Sequence, residues 1–163
     1  MAARRRTGRT HGALMAGLSA FGMALGHLLG LLVLYSWRLL GFSSPPSSEA
    51  LAEALRKGPD WLVSAGQGSQ VAVGVVLLSG AWLAGRSPLE RIGALAYVSG
   101  VALAVRYLTL SVLAGWPDNL QAVDQGLGPA GTVAVRVWVV LGGAATAMAL
   151  GLGLISFARR SVP

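Results

Sequence analysis

Residues 92–115 constrain the fold more than any other stretch of this chain. They are apolar or small, apart from a single charged residue, Arg106. About 20 helical residues cross the hydrocarbon layer of a membrane, so this stretch predicts a transmembrane helix. An arginine inside such a helix is costly and usually has a partner or a function. The stretch therefore predicts both a membrane protein and a candidate site at Arg106.

The composition of the whole chain agrees with a membrane protein. Hydrophobic residues make up 54% of the 163 residues and charged residues only 12%, whereas soluble domains contain about 25% charged residues. The net charge is +7, but the basic residues lie between the apolar runs and form no aromatic-interleaved patch, so we expect no nucleic-acid binding. The absence of cysteine excludes disulfides and thiolate metal sites.

Four apolar stretches predict an all-α integral membrane protein, a bundle of four transmembrane helices in a single membrane domain. The predicted spans cover about residues 12–42, 67–85, 92–115 and 129–158. Two outer loops, 43–66 and 116–128, join them. In the first loop, Ser47 or Ser48 follows two prolines and can cap a short helix that ends at Gly58. We expect this helix to lie on the extracytoplasmic membrane surface.

The distribution of charge predicts the orientation of the bundle. One side of the four-span arrangement carries Arg4, Arg5, Arg6, Arg9, Arg86, Arg91, Arg159 and Arg160. The other side carries Glu49, Glu53, Asp60, Asp118 and Asp124, with Arg56 and Lys57. Cytoplasmic loops are enriched in basic residues, so both termini are predicted to be cytoplasmic. Arginine outnumbers lysine twelve to one, which is typical of GC-rich bacterial genomes and suggests a bacterial inner membrane.

Two observations concern the arrangement of the spans. Residues 71–75 (VAVGV) are similar to residues 133–137 (VAVRV), which suggests a parallel repeat of a two-span unit, 12–85 and 92–158.

The plan of four spans, with a surface helix after the first and a basic turn after the second, resembles that of the DoxX-like membrane proteins. Residues 74–86 (GVVLLSGAWLAGR) are similar in texture to that family. The resemblance implies the layout, and we transfer no function from it.

Small residues at intervals of about four predict where the helices pack. In lipid, helices associate through close contact of glycine and alanine faces rather than through the hydrophobic effect. The predicted contact residues are Gly22, Gly26 and Gly30 on the first span, Gly100 on the third, and Gly143, Ala147 and Gly151 on the fourth. These faces serve either the bundle itself or association with a second copy or another membrane subunit.

Three arginines, Arg38, Arg106 and Arg136, are predicted at the outer half of the membrane. Arg106 lies about 21 Å along its helix, at a rise of 1.5 Å per residue. One interpretation is an outward-facing pocket for an anionic group, such as a lipid phosphate or a carboxylate, since guanidinium binds both bidentately. In the other, Asp118 and Asp124 fold back onto Arg106 and Arg136 as ion pairs, and Arg38 extends to the surface.

Four further polar residues fall within predicted spans: His27, Gln70, Ser99 and Thr109. His27 suits a hydrogen bond between helices, a proton relay or a haem ligand. Haem between helices generally needs two histidines, and His11 is about 24 Å away along the same helix, so we predict no cofactor. Ser99 and Thr109 share a helical stripe with Arg106. Gln70 suits a polar path or a bond between helices.

The absence of catalytic motifs shapes the functional prediction. No acidic residue lies within a predicted span, and the chain has no P-loop, no HExxH and no Gly-x-Ser-x-Gly motif. We therefore predict no catalytic residue, and favour a non-catalytic accessory or assembly subunit of a larger membrane complex. The alternatives are a small transporter or lipid-handling protein that binds an anion at the outer arginines, and a membrane enzyme acting on a lipid or quinone.

Overall fold

A computed structural model describes residues 2–58, 60–128 and 131–160. In these residues the chain forms five helices and one antiparallel hairpin, joined by short loops. The elements are α1 (Ala2–Leu39), α2 (Ser48–Lys57), α3 (Asp60–Ala84), α4 (Pro88–Ala114), β1 (Val123–Gly128), β2 (Gly131–Arg136) and α5 (Val137–Arg160). The helical architecture was predicted, and the hairpin was not.

Three helical segments are long and apolar enough to cross a membrane: His11–Leu39, Pro88–Ala114 and Val137–Arg160. They confirm the prediction of a membrane protein built from helices. The predicted second span corresponds to α3, whose apolar part, Gly68–Ala84, is shorter than these three segments. Length and composition therefore support three spans directly among the described residues.

The predicted fourth span begins later than residue 129. Residues 131–136 form strand β2, and the helix starts at Val137; residues 129 and 130 lie outside the described residues. In the hairpin, Val123 pairs with Arg136 and Gly128 with Gly131. The reason is local composition, since Thr132, Val133 and Val135 favour extended backbone and the nearby glycines disfavour helix.

The two stretches that suggested a repeat adopt different structures. Residues 71–75 lie inside helix α3, whereas residues 133–136 lie in strand β2. They therefore do not mark equivalent positions of a two-span unit. The similarity arises from valine and alanine, which are compatible with both helix and strand in apolar sequence.

The short helix predicted after the first span is present as α2. The side chain of Ser47 caps it by accepting a hydrogen bond of 3.3 Å from the backbone N–H of Ala50. Lys57 and Glu53 form an exposed ion pair with 2.6 Å between Nζ and Oε1. Capping and the i,i+4 pair explain why this polar segment is helical.

Helix α4 lies at the centre of the bundle, in contact with α1, α3 and α5. Its contact with α1 uses the glycines predicted for this purpose: Gly22, Gly26 and Gly30. A Cβ at Gly26 would collide with the carbonyl oxygen of Ala102, and one at Gly30 would lie 2.8 Å from the Cβ of Thr109. Only glycine allows the two backbones to approach this closely.

The contact between α4 and α5 also uses small residues. Gly151 packs against the backbone of Gly93, and Gly100 packs against the carbonyl of Ala144. The core of the bundle lies beside this contact and draws on all four long helices. Its members are Leu18, Ala81, Ala94, Val98 and Ile155.

Gly143, one of the predicted contact residues of α5, takes no part in packing within the bundle. A Cβ at Gly143 would meet no atom within 4 Å, and the residue is exposed. Ala147 is half-buried at the edge of the contact. The buried face comprises Val137, Ala144, Gly151, Ile155 and Ala158. Successive residues differ by about 100° around a helix, so Ala144 faces α4 and Gly143 points away.

Candidate functional site

Arg106 of α4 forms an ion pair with Asp124 of β1. The distance between Nη2 of Arg106 and Oδ2 of Asp124 is 3.0 Å, and Nη2 also donates to Oδ1 at 3.3 Å. The two side chains are only 16% and 11% exposed. Asp124 thus occupies the position that the pocket interpretation assigned to an external anion. The interpretation in which a loop aspartate folds back onto Arg106 is the one that the geometry supports.

Tyr107 completes this group, although it was not among the predicted site residues. Its hydroxyl donates a hydrogen bond to Oδ2 of Asp124, and its side chain is buried. Its ring lies 6.0 Å from that of Trp116, which in turn packs edge-on against Trp37 at 5.7 Å. The sequence contained one indication of this role, since Tyr107 is next to Arg106 and neighbouring residues near a helix end can reach the same loop.

The hairpin sets the position of Asp124, which is the second residue of β1 and pairs with Val135. Two backbone hydrogen bonds join the chain before β1 to the start of α5. Val137 donates to the carbonyl of Ala122 at 2.9 Å, and Trp138 donates to that of Leu120 at 3.0 Å. The first turn of α5 therefore holds the loop that carries the aspartate.

The other two arginines have different surroundings. Arg136 is exposed, and its Nη1 donates to the amide oxygen of Gln121 at 3.3 Å. Asp118 is exposed and pairs with no arginine in the described part of the chain. Arg38 lies in the last turn of α1 and lines a cavity. In the described contacts, Arg106, Arg136 and Arg38 therefore share no partner.

His27 makes a hydrogen bond between helices, one of its three predicted roles. Its Nδ1 lies 3.1 Å from Oγ1 of Thr109, so the bond joins α1 to α4. Thr109 is buried, Ser99 is half-buried on the same helix, and Gln70 is exposed on α3. Among the described residues, no group of three or more His, Cys, Asp or Glu side chains could hold a metal ion.

A second polar cluster lies at the opposite end of α4. Glu90 is only 3% exposed, and its Oε1 accepts a hydrogen bond of 2.6 Å from Nε of Arg159 on α5. Its Oε2 accepts from the backbone N–H of Arg86 at 2.7 Å. Nη1 of Arg159 lies 3.5 Å from Nδ1 of His11, which brings the N-terminal part of α1 to the same place.

Glu90 was not predicted as a structural residue, although the sequence around it carries a helix-capping signal. Ser87 and Glu90 have the spacing of a capping box at the start of a helix. Ser87 accepts from the backbone N–H of Glu90 at 3.2 Å. Nearby, the guanidinium of Arg91 lies 3.8 Å above the ring of Trp82 and donates to the carbonyl of Gly85. These contacts fix the tight turn between α3 and α4.

Searches of protein-family models, of curated proteins and of solved structures find no match to this chain. The resemblance of its layout to that of the DoxX-like membrane proteins therefore stays a prediction. Among the residues whose burial is described, two carboxylates are buried, those of Asp124 and Glu90, and each is paired with an arginine.

Proposed function

We propose that this protein is an accessory or assembly subunit of a larger membrane complex, and that α3 is the helix that binds the partner. The observation that carries this proposal is the composition of the face of α3 that points away from α4. Three of its four residues are small or carry a hydroxyl group, where a lipid-facing helix usually has large apolar side chains. This face, called the α3 face below, comprises Gly68, Ala72, Val75 and Ser79, all of which are exposed.

Helical geometry separates the α3 face from the rest of the bundle. Among the α3 residues whose burial is described, Ala81 is the buried one, and it lies in the core with Ala94 of α4. At about 100° per residue, the α3 face lies roughly 150° around the helix from Ala81. Small faces let transmembrane helices approach closely, and a hydroxyl such as that of Ser79 can bond across the interface. A partner helix would therefore fit the α3 face.

The geometry gives less support to the anion-binding alternative in its original form. That alternative needed Arg38, Arg106 and Arg136 to serve one external anion. Arg106 instead faces Asp124, and Arg136 faces Gln121. The two internal ion pairs, at Asp124 and Glu90, have a structural explanation, because they join separate elements of the fold. This favours a structural role for the buried charges over a role in binding an external anion.

The proposal places the protein in a bacterial inner membrane with α3 as a fourth span and both termini in the cytoplasm. The arginines at the Glu90 end of the bundle support this orientation: Arg86, Arg91, Arg159 and Arg160. Helix α2, at the other end, carries Glu49 and Glu53. Basic residues concentrate on the cytoplasmic side of membrane proteins, so the Glu90 end is the cytoplasmic one.

Purification of the tagged full chain from its native membrane in a mild detergent tests this function. We expect a defined membrane protein to co-purify, and Ala72→Leu to reduce its recovery because leucine prevents close helix contact. Ala149→Leu is the matched control, since Ala149 is exposed on α5 and outside the α3 face. A monomer without a partner, or equal loss of the partner in both variants, would contradict the proposal.

A further inference from the structure

A cavity of about 170 Å³ lies where α1 and α4 end. One water molecule needs about 15 Å³ of such space, so the cavity has room for a group much larger than water. Its walls come from the last turns of both helices and from the turn that follows α1. The lining residues include Leu34, Trp37, Arg38, Ser43, Ser44 and Leu113.

The end of α1 shapes the cavity through a left-handed glycine. Gly41 has a φ of +85°, its N–H donates to the carbonyl of Arg38, and the N–H of Phe42 donates to that of Trp37, both at 3.0 Å. This bonding pattern is the Schellman motif, which ends a helix and reverses the chain. After the reversal, Ser43 and Ser44 line the same cavity as Arg38 of the last turn of α1.

Aromatic packing fixes another wall. Trp37 is 8% exposed, and its ring lies edge-on to that of Trp116, 5.7 Å away. Trp116 also contacts Tyr107, whose hydroxyl bonds to Asp124. One wall of the cavity therefore belongs to the same aromatic group that contacts the Arg106–Asp124 ion pair.

The chemistry of the walls is divided between charge and apolar surface. Arg38 is exposed and forms no ion pair in the described part of the chain, unlike Arg106. Ser43 and Ser44 add two hydroxyl groups that can donate hydrogen bonds. Leu34 and Leu113 form an apolar wall, and the side chain of Leu113 is 51% exposed.

The depth of the cavity matches that of lipid headgroups. Leu39 ends the apolar segment that begins at His11, and Ala114 ends the segment that begins at Pro88. The polar headgroup region begins where the hydrocarbon-spanning parts of helices end. A ligand in this cavity would thus have its charged part at Arg38 and its apolar part along Leu34 and Leu113.

We propose that this cavity binds the phosphate of an anionic phospholipid. Arg38 pairs bidentately with the phosphate oxygens, since guanidinium matches phosphate geometry and keeps its charge. The hydroxyls of Ser43 and Ser44 donate to the same group, and an acyl chain follows the leucine wall. A net negative headgroup compensates the charge of Arg38, and the apolar wall favours a lipid over free phosphate.

Native mass spectrometry of the purified, delipidated full chain tests this site, with phosphatidylglycerol, phosphatidylcholine and inorganic phosphate as separate probes. We expect phosphatidylglycerol to bind in preference to phosphatidylcholine, and millimolar inorganic phosphate not to displace it. Arg38→Gln should weaken phosphatidylglycerol binding about tenfold, because it removes a charged hydrogen bond. Arg38→Lys should weaken it less.

Two further variants separate a specific site from general attraction to charge. Arg136→Gln removes an exposed arginine outside the cavity and should leave binding within about twofold. Leu113→Trp fills the cavity without changing charge and should abolish binding. Equal effects of Arg38→Gln and Arg136→Gln would overturn the proposal, as would equal binding of phosphatidylcholine. Displacement by inorganic phosphate would overturn the assignment to a lipid. Circular dichroism and elution volume establish that each variant is folded.

Discussion

The carboxylate of Asp124 lies 3.0 Å from the guanidinium of Arg106, across 18 residues of sequence. This ion pair ties the β1–β2 hairpin to the central helix of the bundle. Tyr107 donates to the same carboxylate, so two neighbouring residues of α4 hold one residue of the hairpin. A charge that membrane burial makes costly is thereby compensated inside the protein.

Asp124→Asn should destabilise the folded protein by about 3 kcal/mol, because it leaves Arg106 buried without a counter-charge. The measurement is the free energy of unfolding in mixed micelles with increasing denaturing detergent. Asp118→Asn is the control and should change stability by less than about 0.5 kcal/mol, since Asp118 is exposed and pairs with none of the described arginines. Equal stability losses in the two variants would mean that the ion pair does not hold the hairpin.

Removal of both charges should cost less than removal of one. The double variant Arg106→Leu and Asp124→Leu leaves no buried charge uncompensated, and apolar replacements of buried pairs are often neutral. We expect it to be more stable than Asp124→Asn in the same unfolding measurement. If the double variant is less stable than Asp124→Asn, the ion pair stabilises the fold beyond the neutralisation of one buried charge by the other.

Gly26→Ala should separate α1 from α4. The added Cβ would meet the carbonyl of Ala102 and lie 2.9 Å from the Cβ of Val105. Overpacking of this kind costs about 1–3 kcal/mol, which a thermal unfolding curve in detergent would resolve. Gly17→Ala is the matched control on the same helix, because a Cβ there meets no atom within 4 Å. It should leave the midpoint unchanged or slightly raised, since alanine favours helix.

Glu90→Gln should lower the free energy of unfolding by about 2 kcal/mol, since it weakens a buried charged hydrogen bond at the opposite end of the bundle. Arg159→Gln removes the other partner, so the double variant should cost less than the sum of the two single ones. Unfolding free energies of the three variants measure this coupling. Glu49→Gln on exposed α2 serves as the control. Strictly additive losses would mean that the 2.6 Å contact between Arg159 and Glu90 carries no energy.

Single cysteines test the proposed orientation, because the natural chain contains none. We expect a membrane-impermeant maleimide to label Glu49→Cys in intact spheroplasts. It should label Arg86→Cys and Arg160→Cys only after lysis. This pattern places α2 and the turn after α3 on opposite sides, as a spanning α3 requires. Labelling of Glu49→Cys and Arg86→Cys from the same side would refute a fourth span.

Helix positions were largely predictable from local properties of the chain. The apolar runs that became α1, α4 and α5 are long and low in charge, and the capping signals around Ser47 marked α2. The glycines of α1 were also predictable as a contact face, because their spacing of four residues is a property of one helix alone. The sequence also indicated that Arg106 needed a partner.

Tertiary structure alone decided which partner that is. Asp118 and Asp124 lie in the same predicted loop, and the hairpin register, which hydropathy does not encode, places only Asp124 against Arg106. The choice between Gly143 and Ala144 on α5 also depended on a rotation of about 100° that neighbouring helices set. Hydrophobicity and charge along the chain determine that segments enter the membrane. The register and rotation of those segments arise from contacts between residues far apart in sequence, so they are determined only when the helices pack.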